Sequence, residues 1–131
     1  MAHLLLNSLT ELGRRSRRSP NMKLLEAYIP PEALDQVRQS LANLGLDDLV
    51  TSETAAVTQK NDRSRWESYT EEFVPQLKLE FAVRDDQAKA VAHQILGLVA
   101  NRREAAACRI LIEPLDDVIR IETGERGRAA M

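Results

Sequence analysis

The chain has 131 residues, 44% of them hydrophobic and 29% charged, with a formal net charge of −2. That length and apolar content fit one domain with a real core and exclude a disordered chain. No stretch nears the roughly 18 apolar residues of a membrane span, and the lone cysteine, Cys108, excludes an internal disulfide framework and fits a reducing, cytosolic compartment.

Residues 1–21 carry Arg14, Arg15, Arg17 and Arg18 against Glu11, while the remainder of the chain is net acidic. The apolar part, Leu4–Leu6 with Leu9 and Leu12, precedes the arginines, the reverse of a secretory signal. This segment reads as a basic, disordered extension, either a peptide that docks on an acidic partner or a tail ahead of a start at Met22. The domain is expected over 22–131. Its acidic balance and 4% aromatics argue against nucleic acid as the partner, and two histidines with one cysteine argue against a zinc site.

In the body, Leu24, Leu25, Ala27 and Ile29 form a strand-like run ended by Pro30-Pro31. Pro31 suits the first turn of a helix, whose apolar positions are Leu34, Val37, Leu41 and Leu44, with Gly45 as a left-handed C-cap. Leu49 to Val57 reads as a strand, and polar Gln59 to Trp66 as an exposed loop. Leu77, Leu79, Phe81 and Val83 alternate with Lys78, Glu80 and Ala82, the period of a half-buried strand. Asp85 and Asp86 are expected to open a second helix, as a cap and a dipole-matched first turn, with Ala88, Val91, Ala92, Ile95, Leu98 and Val99 on its buried face. A polar loop from Asn101 leads to the strand Arg109–Glu113, which Pro114 ends. Val118–Ile121 reads as a further short extended segment, and 123–131 as a polar tail, mobile until bound.

The order is strand–helix–strand, loop, strand–helix–strand, with PPEALDQV (30–37) mirrored by RDDQAKAV (84–91). It predicts an α+β, ferredoxin-like double βαβ domain: a four-stranded antiparallel sheet with both helices on one face. The bare sheet face that results favours oligomerisation or ligand binding.

Three stretches carry a family likeness. MKLLEAYIPPEALDQVRQSLANLGL (22–46), FVPQLKLEFAVRDDQ (73–87) and PLDDVIRIETGERGRAAM (114–131) resemble the first strand and helix, the exit from the T-loop, and the C-terminal strand and loop of the PII (GlnB/GlnK-type) signal-transduction family. The resemblance implies homotrimers of ferredoxin-like subunits, adenine nucleotide held in clefts between neighbours, and a protruding T-loop that engages a target protein, a membrane transporter or metabolic enzyme.

The departures bear on the ligand. The family's B-loop, T-G-x-x-G-D-G-K, cradles phosphates with glycine N–H groups and a lysine. Here the segment reads NRREAAACR (101–109), with Glu104 near the lysine position and Arg109 at the motif's end. The family's R-I-R keeps Arg120, but its second arginine is Glu122. At an effective dielectric of about 20, a like charge at 4 Å costs roughly 4 kcal/mol. The resemblance therefore implies ADP or AMP in preference to ATP, with Arg102, Arg103, Arg109, Arg120 and Glu80 as nucleotide-binding candidates. AAVTQKND (55–62) replaces the glycine-bearing T-loop turn and retains Gln59 and Lys60. Gln76 stands where the family lysine meets 2-oxoglutarate. Tyr69 falls at the tyrosine that enterobacterial relatives uridylylate, and with Gln59, Lys60 and Trp66 it is a candidate partner contact, Trp66 being either a partner anchor or a cover for the subunit's own sheet edge. Such losses resemble a divergent PII-like class that accompanies transporters or carboxysome and inorganic-carbon genes and senses AMP or ADP, sometimes with bicarbonate.

Other residues have two readings. Cys108 beside Arg109 could be a redox sensor with a lowered thiol pKa, or a small buried hydrophobe. His93 could titrate or ligate, or fill a structural role on its helix. Arg102 and Arg103 could bind phosphate or cap the second helix's C-terminal dipole. No Ser-His-Asp or Cys-His grouping is present, so a binding protein is expected rather than an enzyme. The alternative to a sensor is a trimeric ferredoxin-like structural or assembly module.

Overall fold

The computed structural model describes residues 22–61 and 69–131. The N-terminal extension and Trp66 lie outside these residues. Four strands, β1 (Met22–Ile29), β2 (Val50–Asn61), β3 (Tyr69–Arg84) and β4 (Arg109–Pro114), form one antiparallel sheet in the order β2-β3-β1-β4. Helices α1 (Leu34–Asn43) and α2 (Ala88–Val99) are each entered through a single 3₁₀ turn, Pro31–Ala33 and Asp85–Gln87. This is the double βαβ domain that the order of apolar patterns predicts.

The core follows from the two periods. Leu25, Ala27 and Ile29 on β1 and Leu79, Phe81 and Val83 on β3 point to one face, where Ala33, Val37 and Leu41 meet Ala88, Val91, Ile95 and Val99. Burial of each larger side chain contributes about 1.5–3 kcal/mol. Across the helices, Ser40 Oγ donates to Gln94 Oε1 at 2.6 Å.

Helix α1 stops as its sequence predicts. Gly45 sits at φ 79°, its N–H reaches the Ala42 carbonyl at 2.9 Å, and the Leu46 N–H reaches Leu41 at 2.9 Å. These are the two bonds of a Schellman cap, which needs a left-handed residue between them. Leu46 then packs on the core while Leu44 turns outward. The start of α2 meets expectation in one respect, with Asp85 and Asp86 in the first turn that leads into it, and departs from it in another. Neither Asp85 nor Asp86 caps it; Asp85 pairs with Lys23 (3.6 Å) and Asp86 with Arg84 (3.2 Å).

Three further expectations are corrected. Gln59, Lys60 and Asn61 are not loop but strand, paired with Glu71, Thr70 and Tyr69. Since β1 ends at Ile29 opposite Leu77, Ala55–Asn61 and Tyr69–Pro75 form a two-stranded arm beyond the body, about 23 Å long at 3.3 Å per residue. Val118–Ile121 is not a strand; among the described residues its only ladder contact is the bridge between Ile119 and Arg126. The tail does not project. It forms a 3₁₀ turn over Gly127–Ala130 with Ala130 buried against the domain, because Arg120 takes its carbonyl.

Candidate functional site

The segment 101–109 forms a turn that needs no glycine. Arg103–Ala107 is 3₁₀ helix, with the Ala105 N–H on the Arg102 carbonyl (3.1 Å) and the Cys108 N–H on Ala105 (3.0 Å). These two N–H groups are therefore spent inside the turn and cannot cradle a phosphate. Arg102 acts as the cap of α2: its Nε donates to the Leu98 carbonyl (3.3 Å) and its Nη2 to Gln36 Oε1 on α1 (2.7 Å). The capping role read for Arg102 is thus present in the geometry, and it does not exclude the phosphate role. Arg103 and Glu104 are exposed.

Gln76 anchors this turn from below. Only 4% exposed, it donates from Nε2 to the Ala107 carbonyl at 2.7 Å and toward Cys108 Sγ at 3.8 Å. An amide can satisfy a buried carbonyl without bringing a charge into the interior, which a lysine could not do. Cys108 donates to the Glu104 carbonyl at 3.4 Å. Burial pushes its thiol pKa up, with the Gln76 bond opposing. The direction is opposite to the lowered value expected of a sensor thiol beside a cation, and Cys108, half-buried, packs against the core. His93 is exposed on α2.

Arg109 follows at the start of β4. It pairs across the ladder with Tyr28, and its guanidinium lies over that ring, 5.1 Å from the centroid. No carboxylate among the described residues pairs with it at ion-pair distance.

The second basic group is built by the C-terminal segment. Gly124 (φ 72°) and Gly127 (φ 66°) close a tight turn in which the Arg120 N–H reaches Glu125 O (2.9 Å) and the Gly124 N–H reaches Arg120 O (2.7 Å). Asp117 holds the base of the turn, accepting from the Val118 N–H (2.8 Å), the Gly127 N–H (3.2 Å) and Arg126 Nε (2.9 Å). The Arg126 bonds keep the Asp117 carboxyl below its ordinary range. Arg120 Nη2 donates to Asp48 Oδ2 at 2.7 Å and to the Ala130 carbonyl at 3.2 Å. The bond to Asp48 also raises the guanidinium's pKa further. Arg120 lines a cleft of about 450 Å³ with Leu24, Asp48, Glu80, Asp117 and Met131. Glu122, in the same turn, is exposed, and Glu80 is bound to Lys78 at 2.6 Å.

Arg109 and Arg120 therefore occupy opposite ends of the sheet. Arg109 pairs with Tyr28, Arg120 shares its cleft with Leu24, and those β1 positions are about 13 Å apart. Within one chain the two arginines line separate clefts, Arg109 with Tyr28 and Cys108 and Arg120 with Leu24 and Asp48. The structure also shows what the sequence reading missed: Asp48 as the partner of Arg120, Gln76 as the brace of the turn, and the Val57–Phe73 pair on the arm. Val57 is 56% and Phe73 65% exposed, directly opposite one another. The alternation of Ala55 and Val57 could have extended the strand beyond Thr58. Among the described residues, no group of three or more His, Cys, Asp or Glu side chains could hold a metal, and no helix is long and apolar enough to cross a membrane.

A sequence model described as Nitrogen regulatory protein P-II matches residues 22–125. The chain belongs to the PII family. The Nitrogen regulatory protein P-II of Nostoc punctiforme is 36% identical over 113 residues, covering 84% of this chain and all of that protein. That of Microchaete diplosiphon is 35% identical with the same coverage. In structure, Arabidopsis thaliana PII bound to citrate superposes with a TM-score of 0.65 at 28% identity, over 83% of this chain and 88% of that one. Bacillus subtilis GlnK in complex with ATP has the same fold, with a TM-score of 0.66 at 21% identity over 86% of this chain and 97% of its own. The chain thus has a regulatory, signalling role of the PII kind.

Proposed function

We propose that this PII protein binds an adenine nucleotide in clefts between the subunits of a homotrimer, taking ADP or AMP at least as tightly as ATP. The observation that carries the reading is the placement of Arg109 and Arg120 at opposite ends of one sheet. Two neighbouring copies, one offering each end, would bring both arginines to a phosphate that neither copy could hold alone. The exposed Val50 and Ile119, and Ile121 at 98% exposure, supply apolar surface that a neighbour would cover. The spent N–H groups of Ala105 and Cys108 and the charges of Glu104 and Glu122 weigh against each added phosphate. Bicarbonate or 2-oxoglutarate is the candidate second ligand, as an anion in the same clefts. Occupancy would pass to a transporter or metabolic enzyme through the arm and the segment that joins its strands, with Val57 and Phe73 as its apolar contact. Association with a carboxysome or inorganic-carbon system belongs to this proposal.

Calorimetry of the full chain with ADP, AMP and ATP tests it. Arg120→Ala should weaken ADP ten- to hundredfold, since a charge-assisted bond contributes about 1.5–3 kcal/mol, and Glu122→Arg should favour ATP selectively. Light scattering should give about three times the monomer mass. ATP clearly preferred by the wild type, or indifference to Arg120→Ala, would overturn the reading. A trimeric assembly module without nucleotide sensing is the second reading, favoured by the intramolecular engagement of Arg102 and Arg120. Nucleotide binding in the same titration excludes it.

A further inference from the structure

Asp48 is not simply a neighbour of Arg120. Arginine grips a phosphate in two-pronged fashion either side-on, through Nε and Nη2, or end-on, through Nη1 and Nη2. Both modes draw on Nη2. In this protein both bonds assigned to the guanidinium come from Nη2, one to Asp48 Oδ2 (2.7 Å) and one to the Ala130 carbonyl (3.2 Å). A phosphate can reach Arg120 in two-pronged fashion only by displacing one of them. Asp48 occupies the place with the same charge and the same planar pair of oxygens that an anionic ligand would present.

Resting on the nucleotide reading above, we propose that Asp48 is an internal competitor for the ligand's phosphate at Arg120, and so sets the affinity of the cleft. The tie is built to be broken. The Asp48 side chain is 73% exposed and that of Arg120 36%, and exposed ion pairs of this kind are weak. A phosphate offers more charge and more acceptor oxygens than a carboxylate, so it wins the exchange, but at reduced net affinity. The ejected Asp48 carboxylate also stays beside the bound anion as a like charge. Asp48 leads into β2, so the exchange also frees the connection from α1 to the arm at that point. Asp47, one residue earlier, carries the same charge without a bond to Arg120, which makes it the control.

The test is calorimetry with ADP on the full-length chain and four variants: Asp48→Ala, Asp47→Ala, Arg120→Ala and the double Asp48→Ala/Arg120→Ala. Asp48→Ala should tighten ADP about three- to tenfold, while Asp47→Ala changes it less than twofold. Most of the gain should vanish in the double variant, because the competition acts through Arg120 and only the like-charge contribution of Asp48 does not. Arg120→Ala weakening ADP while Asp48→Ala leaves it unchanged would overturn the competitor and leave the nucleotide reading standing. Equal gains from Asp47→Ala and Asp48→Ala would reduce the effect to general charge and overturn it as well. ADP binding that ignores Arg120→Ala overturns both.

Discussion

At the end of the sheet where β4 begins, Arg109 rests on the Tyr28 ring and has no carboxylate partner among the described residues. At the other end, Arg120 is held by Asp48 and by the carbonyl of Ala130. The first end is rigid around an open cation: α2 is capped by Arg102, and the turn is braced from beneath by Gln76. The second end is a committed cation inside a turn folded back on itself. The difference teaches that a charge legible in the sequence is not yet an available charge. Availability depends on which neighbours the fold supplies.

The comparison breaks most sharply if the two ends never meet. Arg109→Ala and Arg120→Ala chains should each bind ADP ten- to hundredfold more weakly alone. Unfolded together and refolded as an equal mixture, they should recover near wild-type binding in about one cleft in four, the share in which each neighbour contributes its intact arginine. A mixture with no high-affinity sites would show that the arginines do not act on one ligand across an interface.

The brace is tested next. Gln76→Ala leaves the Ala107 carbonyl without its 2.7 Å donor in a nearly dry position, which should lower unfolding stability by about 1–3 kcal/mol. Urea denaturation measures this. A loss below half a kcal/mol would mean that the turn holds itself. Gly45→Ala should cost about 1 kcal/mol, and for backbone reasons alone. The added Cβ would meet nothing within 4 Å, but φ of 79° is strained for any residue with a side chain.

The smallest effect is in the C-terminal turn. The carboxyl of Asp117 is held below its ordinary value by Arg126, so its contribution is complete above about pH 4 and fades as the pH falls through the depressed value. The Val118 amide, whose acceptor is Asp117 Oδ1 at 2.8 Å, should stay protected in NMR from pH 7 to about 4 and lose protection below that. Asp117→Asn should abolish this step. Loss of protection between pH 7 and 5 would point to another group.

Much of this protein was written in the order of its residues. Alternation in Leu77–Val83, the spacing of Val37 and Leu41, and Gly45 after α1 determined the double βαβ domain, because burial on one face repeats at two residues in a strand and at about 3.6 in a helix. The strings around 22–46, 73–87 and 114–131 carried the family. The tertiary structure alone decided that polar Gln59–Asn61 would be strand, because ladder bonds to Glu71, Thr70 and Tyr69 satisfy the backbone whatever the side chains prefer. It also decided that Asp48, 72 residues before Arg120, would be its partner, and that Gln76 would brace a turn 31 residues away. Periodicity reports only which way a side chain faces along its own element. Which distant side chain waits there is set when the sheet registers and the tail folds back, and no local pattern encodes it.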